Sequence, residues 1–449
     1  MDYIVKFSEW LWGYPLITLL FSASLFLTIY LGFIQFRHFP YIMKQTFGSI
    51  NKEPKGEGTI TPRQALTSAL SSTVGAANIV GVPTAIIMGG PGAVFWMLVI
   101  AFLAMALKFS ENVLGMHYRE KNKAGEFVGG PTYYMKKGFR NKKIGMIFAV
   151  IFAFMLMIEL IPSVMVQGNS VADSMHDTFQ INPWITGVIM SVITAIVVFG
   201  GIKRIATVTE KLVPLMVGLY LLFGFIIIGM NITHVPSVVM LVIEKAFKPE
   251  AAAGGGFGVA LATTVRWGFA RGVYSNEAGL GTSPIAHAAA KTDHPVRQAF
   301  WSISEIVVDT IIICSTTAFV VLVSDVHLHD DAKENPGALT ARAYEDAYGT
   351  FGSALISISL IFFVLSTVIV VVYYGSRMAE FLFGEMMGNI MKAVYIASIT
   401  IGSVGYGTQL WKLLDLALAM ILIPNVIAVL LLSPQVKRLT KEFFAEYKQ

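Results

Sequence analysis

The sequence predicts an all-α polytopic membrane protein with about eleven transmembrane helices. The first observation behind this prediction is composition: of 449 residues, 14% are charged and 55% are hydrophobic, and the mean hydropathy is +0.66. A soluble domain carries about 25% charged residues, so this chain has too few to cover a surface in water. The second observation is a series of apolar stretches of about 20 residues, the length that crosses a hydrocarbon core about 30 Å thick.

The apolar stretches also give the order of the spans. The second and seventh are interrupted by polar residues and glycines, whereas the others are continuous. The spans lie near 13–35, 64–88, 92–116, 144–174, 183–200, 208–230, 257–289, 298–324, 351–374, 391–405 and 409–432.

The net charge of +5 is explained by orientation in a bilayer, not by nucleic-acid binding. Lys and Arg cluster after the first, third and fifth spans and in the tail, which all lie on one side if eleven spans alternate. The opposite segment 175–182 has no Lys or Arg, and 325–350 is mainly acidic. The positive-inside rule therefore predicts a multi-pass protein of the cell (inner or plasma) membrane, with its N-terminus outside and its C-terminus in the cytoplasm.

The second span is too polar to face lipid. Between residues 64 and 83 it holds Gly75 and Pro83 and six hydroxyl or amide side chains, from Thr67 to Asn78. Non-helical backbone at membrane depth is tolerated where it is buried in protein or lines a watery cavity. A Ser/Thr-lined contact between helices is the alternative.

The seventh span has the same character. It follows the glycine run 254–256, and Arg266, Arg271 and Glu277 lie in it among glycines that weaken a continuous helix. Charges at this depth cost several kcal/mol unless they are paired or hydrated. We expect Glu277 to pair with one of the two arginines, and Lys108 to pair with Glu111, three residues along the same helix.

Two sets of about five spans each open with one of these interrupted helices. Because five is odd, the second set enters the membrane from the opposite face, which predicts an inverted repeat with a binding site at the midplane. The predicted division is 1–63 (an extra N-terminal helix and an interfacial segment), 64–230 (first repeat), 231–256 (extracellular connection), 257–433 (second repeat) and 434–449 (cytoplasmic tail).

A broken helix suits a zwitterion and a cation. Its half-helix start presents free N–H groups that attract a carboxylate, and its half-helix end presents free C=O groups that attract an ammonium or sodium ion. The sequence has no zinc-protease, nucleophile-elbow or phosphate-binding-loop motif, and no filter-like loop of a channel. It therefore favours a secondary transporter over an enzyme, a pump or a channel, and the single Cys314 excludes a disulfide or thiolate metal site.

Five motifs in order resemble the alanine or glycine:cation symporter family, sodium-coupled amino-acid transporters. They are Ser72-Thr-Val-Gly-Ala-Ala-Asn-Ile-Val-Gly81, Gly89-Gly-Pro-Gly-Ala-Val-Phe-Trp96, Val128-Gly-Gly-Pro-Thr-Tyr-Tyr134, Arg271-Gly-Val-Tyr-Ser-Asn-Glu-Ala-Gly-Leu-Gly281 and Tyr373-Tyr-Gly375. The resemblance implies a leucine-transporter-type 5+5 inverted repeat preceded by one extra N-terminal helix. It covers nearly the whole chain.

The resemblance also implies site residues. The substrate carboxylate is expected at backbone amides of the first broken helix, and the ammonium at Gln167 of the fourth span. The implied substrate site consists of Gly75, Ala76, Ala77, Asn78, Gln167, Gly272, Val273, Tyr274, Ser275, Asn276 and Val371. The implied sodium ligands are carbonyls of Ser71, Val74 and Phe363 and hydroxyls of Ser366 and Thr367.

Two departures from the family pattern bear on the substrate. This chain has Gly75-Ala-Ala-Asn78 where Gly-Thr-Gly-Asn is common, and Val370-Val-Val372 where a Trp is common. The missing indole predicts a larger pocket that accepts a side chain bigger than a methyl group.

The predicted function is symport of a small neutral amino acid of the alanine and glycine class, or a larger one such as glutamine, with sodium by alternating access. Proton coupling is the alternative, with Glu159 and Asp309 as candidate carriers because neither has an obvious sequence partner; a channel is a weaker one. We expect a lipid bilayer as surroundings, function as a monomer, no nucleic acid, and no cofactor besides the co-transported sodium ion.

Overall fold

The computed structural model describes residues 7, 10–50, 52–248, 257–405 and 407–447. Regular structure in these ranges is almost all helical, with one short antiparallel hairpin formed by β1 (Glu120–Lys121) and β2 (Phe127–Val128). The glycine run 254–256, the end of the predicted 231–256 connection and the last two residues of the predicted tail lie outside the described residues.

The helices follow the predicted spans in order. Those of the first half are α1 (Tyr14–Tyr30), α2 (Ile34–Arg37), α3 (Phe39–Gln45), α4 (Pro62–Thr73), α5 (Val82–Gly89), α6 (Ala93–His117), α7 (Pro131–Gly138), α8 (Lys142–Phe179), α9 (Pro183–Val198) and α10 (Gly201–Met230). Those of the second half are α11 (Val235–Phe247), α12 (Phe257–Asn276), α13 (Ser283–His287), α14 (Pro295–Ile306), α15 (Ser315–Val323), α16 (Leu339–Tyr348), α17 (Thr350–Phe383), α18 (Glu385–Ser403), α19 (Gly407–Leu431) and α20 (Ser433–Tyr447).

Each predicted span contains one of these helices or a helix pair, so the helical fold class is confirmed. Within the described residues, five helical segments are long and apolar enough to cross a membrane alone, one of them running from α14 through α15, and two bent helix pairs pass the same test together. The count of eleven spans and the inverted repeat stay predictions.

The first predicted interruption is present between α4 and α5. Helix α4 begins in a capping box, in which the Thr61 hydroxyl accepts from the Gln64 N–H (3.2 Å) and the Thr61 N–H donates to the Gln64 side chain (3.0 Å). It ends at Val74, whose backbone is extended (ψ 94°). A π-helical turn, Ala77–Gly81, leads into α5, and the two halves are bent by 47°.

The second predicted interruption is present between α12 and α13. Glu277, Gly279 and Gly281 have positive φ angles of 55°, 91° and 73°. Glycine adopts this left-handed region without steric cost, which explains the two glycines in so short a break. A third irregularity was not predicted: a π-helical segment, Val307–Cys314, separates α14 from α15.

Two groups of helices hold the interruptions in place. Helix α8 packs against α17, α18 and α19, and α6 packs against α12 and α14. Helix α20 bends away from α19 by 56°, and its Phe443 is buried against Phe300. The two breaks therefore lie between large packed helices, where polar side chains can be satisfied within the protein.

Candidate functional site

Four of the five predicted sodium ligands meet at the end of α4. The Thr367 hydroxyl oxygen lies 2.8 Å from the Ser71 carbonyl oxygen, 2.9 Å from that of Phe363 and 3.4 Å from that of Val74. The Ser71 and Val74 carbonyls belong to a helix end, where no further turn supplies N–H donors. One hydroxyl has a single proton to donate, so acceptor capacity remains at this cluster for a cation.

The fifth predicted ligand points elsewhere. The Ser366 hydroxyl donates to the Phe363 carbonyl (2.8 Å) and lies 3.5 Å from the Met216 sulfur. Ser366 is therefore close to the cluster through Phe363, and its contacts are those of a hydroxyl bonded within its own helix.

The start of the second half-helix presents N–H groups. The Gly75 N–H donates to the Asn78 side-chain oxygen (2.9 Å), and the Asn78 N–H donates to the Gly75 carbonyl (3.2 Å). The first N–H groups of a helix have no partner inside it, which leaves that of Ala77, the first residue of the π-helical turn, available. A carboxylate placed there would also be favoured by the helix dipole.

A cavity joins these two features. Six of the predicted substrate and sodium residues line it: Gly75, Ala77, Gln167, Tyr274, Thr367 and Val371. The Gln167 side-chain oxygen has no hydrogen-bond partner in the described chain, so it can accept from a ligand.

The remaining predicted substrate residues lie away from the cavity. Ala76 and Val273 are buried, and a Cβ atom at Gly272 would lie 2.7 Å from Ile100, so this part of α12 packs against α6. The Asn276 carbonyl accepts from the Lys108 ammonium at 2.8 Å. These contacts are those of helix packing.

Asn78 and Ser275 meet at a carboxylate that was a proton-coupling candidate. The Asn78 side-chain N–H donates to one oxygen of Asp309 at 2.7 Å, and the Ser275 hydroxyl donates to the other at 2.7 Å. The Thr310 hydroxyl also donates to Asp309, at 2.8 Å. Asp309 lies in the unpredicted π segment and links both broken helices, so both of its oxygens are engaged.

The expected ion pairs form with different partners. Lys108 binds Glu305 at 2.7 Å, not Glu111, whose carboxylate accepts from the Asn425 side chain. Glu277 accepts from the hydroxyls of Ser72 (3.1 Å) and Thr282 (2.6 Å). The expected pairing of Glu277 with an arginine is therefore replaced by hydroxyl contacts.

The two arginines of the seventh span lie against aromatic rings. The Arg271 guanidinium is 5.2 Å from the Trp267 ring centre and 5.8 Å from that of Tyr274, and Arg266 is 6.0 Å from Trp267. Cation–π contacts of this kind stabilise a cation by about 0.5–2 kcal/mol, depending on how far it is desolvated.

Lys108 is the centre of a fully buried polar cluster. Glu305 accepts from Lys108, from the Ser283 hydroxyl (3.0 Å) and from His287, whose other ring nitrogen contacts the Gln298 amide at 2.7 Å. His287 is therefore a hydrogen-bonded member of this cluster. This cluster ties α6, α13 and α14 to the end of α12.

Several cavity residues, among them Ser163, were not predicted, whereas Gln167 was predicted as a substrate residue and Glu159 as a candidate proton carrier. Glu159, Ser163 and Gln167 are spaced four apart on α8 and share one face, a pattern that was readable in the sequence. The full lining is Ser72, Thr73, Gly75, Ala77, Leu156, Glu159, Leu160, Ser163, Gln167, Tyr274, Glu277, Leu280, Thr282, Thr367, Val371, Leu418 and Ile421.

Comparison with known proteins identifies the family. The sodium:alanine symporter family model matches residues 1–449. The chain belongs to this family. It is 57% identical over 442 residues to an uncharacterized transporter of Bacillus subtilis, YflA, covering 98% of this chain and 93% of that one. It is 39% identical over 437 residues to the sodium/alanine symporter AgcS of Methanococcus maripaludis, covering 97% and 95%.

The fold comparison agrees with this family membership. The crystal structure of MhsT in complex with L-phenylalanine superposes with a TM-score of 0.62 at 12% identity, covering 84% of this chain and 89% of that one. A substrate-bound Na+-coupled sialic acid symporter superposes with a TM-score of 0.53 at 12% identity, covering 95% of this chain and 86% of that one, so the chain shares the leucine-transporter type of fold. The chain is thus a multi-pass membrane protein of a family of sodium-coupled amino-acid symporters, and the resemblance found in the sequence is confirmed.

Proposed function

We propose that this symporter imports alanine, glycine or a larger neutral amino acid such as glutamine together with sodium, by alternating access. The observation that carries the proposal is the Thr367 hydroxyl, held between carbonyls at the end of α4 and lining the same cavity as Ala77, whose N–H lies at the start of the second half-helix. Sodium bound at this hydroxyl would stabilise the interruption whose other end receives the substrate carboxylate.

Coupling then follows from shared structure. The helix end that binds sodium and the helix start that binds the carboxylate are separated by two residues, Gly75 and Ala76. Sodium that fixes this segment lowers the cost of binding substrate, and by linkage the substrate must tighten sodium binding by the same factor. We also propose that the protein works as a monomer, with its N-terminus outside the cell.

The experiment is uptake by purified protein in proteoliposomes. Labelled alanine should accumulate against its gradient when sodium is high outside. Unlabelled alanine, glycine and larger neutral amino acids such as glutamine should compete with it for uptake. Absence of accumulation under a sodium gradient would contradict the proposal. Accumulation under a pH gradient in the complete absence of sodium would favour proton coupling, the second candidate, which the isolated Glu159 supports.

A further inference from the structure

One wall of the cavity carries a carboxylate without a partner. Glu159 is 3% exposed, lines the cavity from α8, and forms no hydrogen bond or ion pair within the described chain. Ser163 and Gln167 continue the same polar stripe, and the Gln167 side-chain oxygen is also unpartnered. A buried carboxylate in this position needs a proton or a cation to balance its charge.

A second carboxylate faces the same cavity. Glu277 has one oxygen held by the hydroxyls of Ser72 and Thr282, at 3.1 and 2.6 Å. Its other oxygen has no hydrogen bond within the described chain. The left-handed backbone at Glu277 (φ 55°) places this residue in the break of the second interrupted helix.

The nearby bases are committed elsewhere. Lys108 is bound to Glu305 and to the Asn276 carbonyl, and the described cavity lining includes no Lys, Arg or His. Helix α9 contains no charged residue. From α18, Tyr395 faces this region with its hydroxyl donated to the Met157 carbonyl at 2.6 Å.

The more distant charges around α8 lie outside the cavity lining. On α17, Arg377 is bound to Glu380 and Glu126, and on α7, Lys137 is bound to Glu120. On α19, Leu418 and Ile421 face the cavity. The protein therefore supplies two carboxylates to the cavity and no cation among its described lining residues.

We propose that Glu159 and Glu277 form a second cation site, which takes one monovalent cation, a sodium ion or a proton, and moves it with the substrate. This inference rests on the proposed symport function but concerns a site distinct from the Thr367 cluster, where the ligands are neutral oxygens. Asp309 is not part of this site because it does not line the cavity, and both of its oxygens already accept hydrogen bonds.

The test counts cations per substrate in proteoliposomes. Reversal potentials of alanine-driven current, measured against a sodium gradient and separately against a pH gradient, give the numbers of sodium ions and protons moved per alanine. Glu159→Gln should lower one of these two numbers by one. A lower sodium number identifies the cation as sodium, and a lower proton number identifies it as a proton.

Unchanged numbers of both ions in Glu159→Gln would overturn the proposal, and would mean that the substrate's own ammonium balances Glu159. Glu159→Gln could bind alanine without transporting it. In that case calorimetric titration counts the ions taken up on binding: buffers of different ionisation enthalpy report protons, and titrations with and without sodium report sodium ions. A loss of one ion relative to wild type again supports the proposal. Failure of this titration to detect alanine binding, with wild-type binding intact, would assign Glu159 to the substrate and overturn the proposal too.

The matched control is Asp173→Asn, which removes an exposed carboxylate from the same helix outside the cavity. It should leave both ion numbers unchanged. The proposed function fails in a different way: wild-type protein would show no sodium-driven alanine uptake at all, whatever happens at Glu159.

Discussion

Gly75 shows how tightly the proposed binding residues are placed. A Cβ atom there would lie 2.9 Å from the Thr367 hydroxyl oxygen and 3.7 Å from the Gln167 side chain. The absence of a side chain at position 75 therefore lets the interruption after α4, Gln167 of α8 and Thr367 of α17 approach the same point. A substitution at Gly75 would disturb the proposed sodium site and the proposed substrate site together.

Thr367→Ala tests the proposed sodium site. Loss of the hydroxyl removes the only side-chain oxygen that contacts both α4 carbonyls in the described chain, so we expect the sodium concentration for half-maximal uptake to rise about tenfold or more, equivalent to about 1.4 kcal/mol. Thr367→Ser should restore it. The measurement is alanine uptake as a function of sodium in proteoliposomes.

The matched control for this variant is Ser376→Ala on the same helix. The Ser376 hydroxyl donates to the Tyr373 carbonyl of its own helix at 2.8 Å and does not line the cavity, so its loss should leave the sodium dependence unchanged. Equal sodium dependence in Thr367→Ala and wild type would argue against this site.

Val371→Trp tests the proposed pocket size. Val371 lines the cavity, one helical turn after Thr367, while its neighbours Val370 and Val372 are buried away from it. An indole there should fill the space available to a long side chain, so competition by glutamine should weaken about tenfold or more while alanine and glycine are retained. Val371→Ala should preserve the order in which amino acids compete in the wild type. If Val371→Trp weakened competition by glutamine and by alanine equally, the predicted pocket size would be contradicted.

At the scale of elements, interruptions are held by side chains from neighbouring helices. The end of α12 would leave carbonyls exposed in the membrane interior, but Lys108 of α6 donates to Asn276 and Asn425 of α19 donates to Gly279 at 2.8 Å. Asp309 similarly joins the two broken helices through Asn78 and Ser275. Broken helices can exist at membrane depth because such contacts satisfy the freed backbone.

Lys108→Met tests the buried cluster at the end of α12. It leaves the Glu305 carboxylate without its ammonium partner, so we expect a loss of about 3–5 kcal/mol in stability. The readout is thermal unfolding of the purified protein in detergent. Adding Glu305→Gln to this variant should recover part of the loss because the unpaired charge is removed.

The control is Lys137→Met, which breaks a half-exposed pair with Glu120. Exposed pairs contribute about 0–1 kcal/mol, so this variant should unfold close to wild type. Equal unfolding temperatures for the two methionine variants would show that the Lys108 cluster contributes no more than a surface pair.

At the scale of the whole molecule, orientation follows from loops far apart in sequence. The hairpin β1–β2 lies in the basic segment after α6, and the short turns around Leu328 lie in the acidic segment after α15. The positive-inside rule places the first segment in the cytoplasm and the second outside. Cys314 is fully buried, so the native chain provides little background for labelling single engineered cysteines.

Accordingly, Lys123→Cys and Leu328→Cys test the orientation. Both positions are exposed, Leu328 at 69%. In intact cells a membrane-impermeant maleimide should label the cysteine at 328 and leave the one at 123 unlabelled until the cells are opened. The opposite labelling pattern would reverse the predicted topology.

Much of the architecture was predictable because a bilayer imposes simple rules. Apolar stretches of about the length of a membrane crossing predicted the helices. Gly, Ser and Asn residues inside two of these stretches predicted the two interruptions, and both interruptions are present in the structure. The resemblance named Ser71, Val74, Phe363 and Thr367 as sodium ligands, and the structure brings the carbonyl oxygens of the first three within 3.4 Å of the Thr367 hydroxyl; their role as ligands stays a prediction.

Partner choice was not predictable from sequence spacing. Glu111 is three residues from Lys108 on one helix, yet Lys108 pairs with Glu305 on another. Glu277 accepts hydrogen bonds from two hydroxyls and does not pair with a nearby arginine. Ser275 and Asn276 follow Tyr274 directly, but they contact Asp309 and Lys108 and not the cavity.

Sequence alone determined a membrane-spanning chain with two interrupted helices, because hydrophobic length and polarity are local properties. Only the tertiary structure decided which charges pair and which remain free, because partners are set by the packing of helices distant in sequence.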